Sequence, residues 1–207
     1  MDKLLKNNTR QSKVYHFIKR GTDIILSAAL IVFLSPLMAI IASVVALTSE
    51  GGAFFKQKRL GREERIFVCL KFRTMYTDAP HDVPTTEFVG MEKHITHVGK
   101  ILRRTSLDEL PQLFNVLLGD MSMVGPRPLI LNEGEITRMR REAGVYSVRP
   151  GITGFAQING RDNVTDREKT ELDKLYIEEM SFFTDLTILI MTPIRALRGK
   201  DIKSKKQ

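Results

Sequence analysis

Two adjacent carboxylates, Asp108 and Glu109, stand in the run Arg103-Arg104-Thr105-Ser106-Leu107-Asp108-Glu109-Leu110-Pro111-Gln112, just after two guanidinium groups. Proline is tolerated in the first turn of a helix and not beyond it, so Pro111 puts the carboxylates at a helix start. Unpaired N–H groups and the helix dipole favour negative charge there: they hold a carboxylate ionised and also bind phosphate. An ionised aspartate in an anion-binding site is a usable nucleophile toward phosphorus. The same residues also fit simple capping, with Ser106 and Glu109 as a capping box and Asp108 as first-turn charge.

The other cations favour the chemical reading. Lys71 and Arg73 leave an apolar strand on one face with Phe72 on the other. Arg127 stands between Pro126 and Pro128, which fix the backbone and aim a guanidinium fork suited to phosphate oxygens. Arg149 precedes Pro150-Gly151, and Arg161 follows Asn159-Gly160. Each of these alone reads as a solvated surface charge. Together they describe several cations around a carboxylate pair, which suits a diphosphate and a divalent metal. His94 and His97 have helical spacing but no Cys or third His beside them, so both read as ordinary polar residues. Cys69 is the single cysteine, so no intrachain disulfide forms, and its apolar neighbours make it a small buried hydrophobe. The phosphate-loop and dinucleotide fingerprints are absent, which removes the main support for ATP hydrolysis and hydride transfer.

What must position these groups is in part a membrane. From Ile24 to Leu47 the chain carries 24 residues without a charge, about 36 Å as a straight helix. Ser35-Pro36 interrupts the middle. Pro36 has no N–H for the carbonyl of Val32, so a kink or break is expected, and the Ser35 hydroxyl can help satisfy the freed backbone groups. Basic residues flank both ends, Lys3, Lys6, Arg10, Lys13, Lys19 and Arg20 before and Lys56, Lys58, Arg59, Arg62 and Arg65 after. The positive-inside rule makes both flanks cytoplasmic, which favours a re-entrant hairpin broken at Ser35-Pro36 over a kinked spanning helix. The apolar stretch from Phe182 to Leu197 with its basic tail fits an interfacial segment or a core helix; residues 1–22 read as a weaker interfacial helix.

The formal net charge of +8 points to anionic partners. With no Trp, four Tyr and no nucleic-acid-binding signature, membrane lipid and phosphorylated small molecules are favoured over nucleic acid. At 207 residues the chain suits one globular unit plus an attached element: residues 1–50 as the membrane part, 51–207 as the cytoplasmic-face domain. Strands are expected at 53–55 and 65–72 around a turn at Gly61, then a polar loop over 77–95. Helices are expected at 97–104, 109–118, 132–143 and 166–180, the last opened by the capping box Thr165-x-x-Glu168. Two stiff loops, 125–128 and 149–154, lie between them. The class is α+β, helix-rich, with little sheet.

Four motifs then occur in order: Lys71-Phe72-Arg73-Thr74-Met75, Thr105 to Gln112, Gly125-Pro126-Arg127-Pro128 and Arg149-Pro150-Gly151-Ile152-Thr153-Gly154. Over residues 19–197 the chain resembles the bacterial sugar transferases, the monotopic polyprenyl-phosphate phosphoglycosyl transferases, in their small form without the multi-span region of longer members. The resemblance implies Asp108 as nucleophile on a UDP-sugar, Glu109 holding Mg²⁺, and Arg103 and Arg127 near phosphate; Lys71, Arg73, Arg149 and Arg161 are weaker assignments. It implies polyprenyl (undecaprenyl) phosphate as acceptor and the cytoplasmic membrane as location. The non-enzymatic alternative is a basic membrane adaptor, which accounts for the charge but not for two carboxylates among the cations.

Overall fold

The computed structural model describes residues 2–80, 90–131, 133–160 and 164–198, with side chains from Val14 to Arg195 within those ranges. The longest element is α1 (Asp2–Thr48). The expected break into two helical limbs is not seen: α1 is uninterrupted, with Pro36 inside it. The physical reason lies one residue earlier. The Ser35 hydroxyl donates to the carbonyl of Val32 at 2.8 Å, the acceptor that Pro36 leaves without an N–H. Val14–Thr48 is long and apolar enough to cross a membrane. One face is nevertheless spoken for by protein: Met38, Ile41 and Val45 pack on Phe72 and Leu102, and Leu26, Leu30, Ile31 and Leu34 lie on the main core. The opposite face, with Ile25, Phe33, Ile40 and Leu47, is exposed.

The first expected strand is longer than its apolar residues suggested. β1 (Phe54–Leu60) pairs antiparallel with β2 (Ile66–Phe72), Phe54 opposite Phe72 and Leu60 opposite Ile66. A 3-10 turn over Arg62–Glu64 joins them, just past Gly61. Lys56, Lys58 and Arg59 read as membrane flank, yet they are strand residues; the ladder carries them regardless of polarity because Leu60 also bonds onward to the carbonyl of Leu129 at 2.9 Å. In β2, Phe67 and Cys69 point into the core, and Lys71 shares their face.

α2 (His97–Thr105) is capped by Thr96, whose hydroxyl oxygen accepts from the N–H of Gly99 at 2.9 Å. Gly99 is required there, since a Cβ would meet the carbonyl oxygen of Thr74 at 2.1 Å. The helix expected at 109–118 starts later, as α3 (Gln112–Leu118) with Pro111 as its N-cap. α3 is pinned to the free edge of β2 by one side chain. The Asn115 amide accepts from the N–H of Leu70 at 3.0 Å and donates to the carbonyl of Val68 at 2.7 Å, taking the place of a third strand. Asn115→Ala should leave both part-buried backbone groups without this partner and cost about 2 kcal/mol of unfolding free energy, read by denaturant titration.

The two stiff loops hold a second, small sheet that the sequence did not announce. β3 (Ser122–Val124) and β4 (Gly151–Thr153) run parallel, and Gly125 N and Gly151 N donate to the carbonyls of Thr153 and Pro126, both at 2.8 Å. The backbones approach so closely that a Cβ on Gly151 would lie 2.1 Å from the nitrogen of Gly125. α4 (Glu135–Glu142), the short α5 (Phe155–Ile158), α6 (Asp166–Glu178) with its capping box, and α7 (Phe182–Arg198) complete the unit. α7 buries Ile188 completely in the core and leaves Phe183 and Ile190 exposed, so its inner face is core.

Candidate active site

The carboxylate pair sits in a 3-10 turn, Leu107–Glu109, between α2 and α3. Ser106 enters it at φ 58° and makes no side-chain cap, so the capping-box reading fails. Glu109 instead faces two cations. Lys71 Nζ and Arg127 Nη2 each donate to its Oε1 at 2.8 Å. Lys71 arrives from the end of β2 and Arg127 from the loop after β3, so the hairpin, the turn and the parallel pair converge on one carboxylate.

Asp108 is treated differently by the same surroundings. It is 8% exposed, and no hydrogen bond or ion pair holds its carboxylate among the described residues. Burial pushes its carboxyl upward; Lys71 opposes this, anionic Glu109 adds to it, and Arg127 and Arg103 pull it back. Burial thus works against the ionisation expected at a helix start. For Glu109 burial also opposes ionisation, but the charges and hydrogen bonds of Arg127 and Lys71 overcome it and hold that carboxyl well below the usual range. The pair is split into a firmly anionic, clamped member and an unheld one.

Arg127 is itself positioned from behind. Arg140 Nη1 donates to the carbonyl of Arg127 at 2.7 Å, and Arg140 is paired at 2.5 Å with Asp173 of α6, both almost fully buried. On its other side Arg59 donates to the carbonyl of Pro128 at 2.9 Å and to Gln57. Arg59, Arg140 and Asp173 are residues that motif reading missed as site elements; Arg59 was legible only as a membrane flank, and a buried ion pair between distant helices leaves no local pattern.

The remaining sequence-predicted residues fall in several places. Arg103 acts on Asp108 by charge and donates to Met91 Sδ at 3.6 Å. Arg73 bonds the carbonyls of Gly51, Gly52 and Phe54, where it fastens the chain between α1 and β1. Arg149 donates to the carbonyl of Gly119, at the opposite end of α3 from the carboxylates. Arg161 lies outside the described residues. His94 pairs with Asp78 at 3.2 Å. Cys69 is buried, which pushes its thiol up and leaves it a packing residue.

The described residues thus set a carboxylate pair among cations on a helix-rich α+β domain that lies along one long apolar helix. The chain belongs to the bacterial sugar transferase family, whose model matches residues 14–199. It is 40% identical over 189 residues to the UDP-glucose:undecaprenyl-phosphate glucose-1-phosphate transferase of Klebsiella pneumoniae, covering 88% of this chain and 40% of that protein. The Escherichia coli (strain K12) protein of the same description is 38% identical over 200 residues, covering 93% of this chain and 43% of that one. The uncharacterized sugar transferase EpsL of Bacillus subtilis is 38% identical over 186 residues, 90% of each chain. This chain thus spans about two fifths of the length of the first two relatives and most of the third.

Proposed function

We propose that this chain transfers a sugar 1-phosphate from a UDP-sugar to polyprenyl phosphate at the cytoplasmic face of a membrane, through a covalent intermediate on Asp108. The carrying observation is the division between the two carboxylates: Glu109 clamped by Lys71 and Arg127, Asp108 buried next to it with no hydrogen bond or ion pair among the described residues. An Oδ of Asp108 attacks the phosphorus that bears the sugar, its bond to the UMP oxygen breaks, and UMP leaves as the anion. An oxygen of polyprenyl phosphate then attacks the same phosphorus, releasing Asp108 and giving the polyprenyl diphosphate sugar. Lys71, Arg127 and Arg103 offset the charge of the diphosphate. Because the steps are separate, the soluble donor and the lipid acceptor need not be bound together.

The donor set suits Mg²⁺. Among the described residues no cluster of three His, Cys, Asp or Glu exists, and Mg²⁺ characteristically takes one or two carboxylates together with substrate phosphates and water. Both cations bond Oε1 of Glu109, so Glu109 would hold the ion through its other oxygen, and the ion would spread charge on the diphosphate. The relatives whose printed names give glucose 1-phosphate transfer to undecaprenyl phosphate support the reaction class. The test is UMP release by the purified chain from a panel of UDP-sugars, with and without polyprenyl phosphate. Release with at least one sugar is expected; none with any sugar favours a membrane adaptor.

The membrane arrangement we infer is monotopic, both ends of the apolar segment being cytoplasmic. Lys19, Arg20 and Asp23 fasten the start of the apolar segment to Asp185, to the carbonyls of Val116 and Leu117 and to the N–H of Met123, while Val45 packs beside Phe72 near its end. A helix fixed to one soluble domain at both ends cannot deliver its flanks to opposite faces of a bilayer. Single cysteines at residues 13 and 58 should both resist an impermeant thiol reagent in intact cells; labelling of either from outside overturns the arrangement.

A further inference from the structure

At the far end of α3 from the carboxylates lies a cavity of about 260 Å³ that the transfer reaction leaves unused. Its lining includes Lys19 and Arg20 of α1, Arg62 of the hairpin turn, Arg149, and Ser122 of β3. Lys19 is neutralised by Asp185 at 2.8 Å. Arg20 and Arg149 have no carboxylate partner among the described residues. They are held instead by the carbonyls that end α3, Arg20 by Val116 and Leu117, Arg149 by Gly119, and the carboxylate whose charge acts on Arg149 is that of Asp23. Asp23, the one acidic side chain in the lining, accepts from the N–H of Met123 at 3.0 Å and is outnumbered there by Arg20, Arg62 and Arg149.

A second observation concerns Ser122. It is 1% exposed, and its hydroxyl has no hydrogen-bond partner among the described residues. An orphaned hydroxyl beside guanidinium groups that outnumber the one carboxylate is a ready donor to anionic oxygen. Burial first, then the charges of Arg20 and Arg62, push the Arg149 guanidinium below its ordinary value, with Asp23 opposing them.

Apolar surface flanks the cavity. On α1, Phe17, Ile18 and Ile25 are exposed between and beside the lining residues, and Phe182 and Phe183 are exposed just after Met180, another lining residue. The volume is below the roughly 300–1,000 Å³ that encloses drug-sized ligands, which fits a headgroup rather than a nucleotide. We propose that this cavity binds the phosphate headgroup of an anionic membrane lipid, with its acyl chains along the exposed faces of α1 and α7. This rests on the membrane reading above. Seven-residue α3, about 10 Å long, separates the site from Asp108, so the bound lipid is not the reacting one.

The test uses the full chain in a detergent with an uncharged headgroup, without UDP-sugar, so that it is independent of transfer; UMP release is measured separately. Dioctanoyl phosphatidate, dioctanoylglycerol and inorganic phosphate are titrated as probes. Saturable binding of the phosphatidate is expected, with phosphate much weaker and the diacylglycerol not competing. Arg62 is half exposed and its ion pair among the described residues is with Glu63 at 3.3 Å, so Arg62→Gln should fold normally and weaken phosphatidate about tenfold, the worth of one charge-assisted contact. Arg62→Lys should recover part of it. Equal phosphatidate binding by wild type and Arg62→Gln overturns the site, and phosphate binding as tight as phosphatidate overturns the lipid assignment.

Discussion

Asp108→Asn is expected to lower turnover by about three orders of magnitude or more while leaving the fold intact, the pattern for loss of a nucleophile. The substitution keeps shape and volume in a site where Asp108 is 8% exposed, and it removes a charge whose burial is unfavourable. Stability should therefore hold or rise slightly, by about 1 kcal/mol at most. The sign of the pH effect follows. The native-state carboxyl is raised, so the protonated form is favoured in the fold; stability from this group is fullest at low pH and declines as pH rises through its native pKa. Asparagine should remove that decline. In the wild type, UMP release should grow with pH through an apparent pKa above the ordinary aspartate value, since the attacking form is the anion. Incubation with UDP-sugar alone should add the mass of a sugar phosphate to the peptide containing residue 108. A fully active Asp108→Asn enzyme would remove the covalent mechanism.

The geometry of the candidate site was legible where it is local. The carboxylate pair, Lys71 and the proline-flanked Arg127 stand out by residue type, and the structure brings all four together. Ser35 was legible for the same reason: its hydroxyl, one residue away, reaches the carbonyl that Pro36 strands. What escaped depends on distant partners. Gly125 and Gly151 read as stiff loops because the parallel pairing of β3 with β4 is a tertiary approach of two backbones, with no period of its own in three-residue strands. Arg73 read like Lys71, two positions earlier, but the strand ends between them, and Arg73 turns to carbonyls near α1. Glu109 matched a capping box by spacing alone; two cations from other elements outcompete the cap, because a charge-assisted pair exceeds a backbone N–H contact. In α1 a local hydroxyl takes up the carbonyl that proline strands, and the helix runs on through Pro36.

Removal of divalent metal should suppress UMP release almost completely, and Mg²⁺ should restore it. The expectation follows from charge. Lys71 and Arg127 share their charge with Glu109, so they offset only part of the charge of an incoming diphosphate, and one further dication is the simplest complement. Oxygen donors without a thiolate cluster select Mg²⁺ or Mn²⁺ over softer ions. Glu109→Gln tests the assignment residue by residue. It removes the anion between Lys71 and Arg127; since Arg127 is 45% exposed, solvent screens part of the loss, and destabilisation of about 1–2 kcal/mol is expected rather than unfolding. Its rate should fall with its metal dependence, and Mn²⁺ binding in the presence of UDP-sugar, followed by electron paramagnetic resonance, should weaken in parallel. Undiminished turnover after thorough chelation, together with normal Mn²⁺ binding by Glu109→Gln, would leave Glu109 only as the structural counter-charge that aims Lys71 and Arg127.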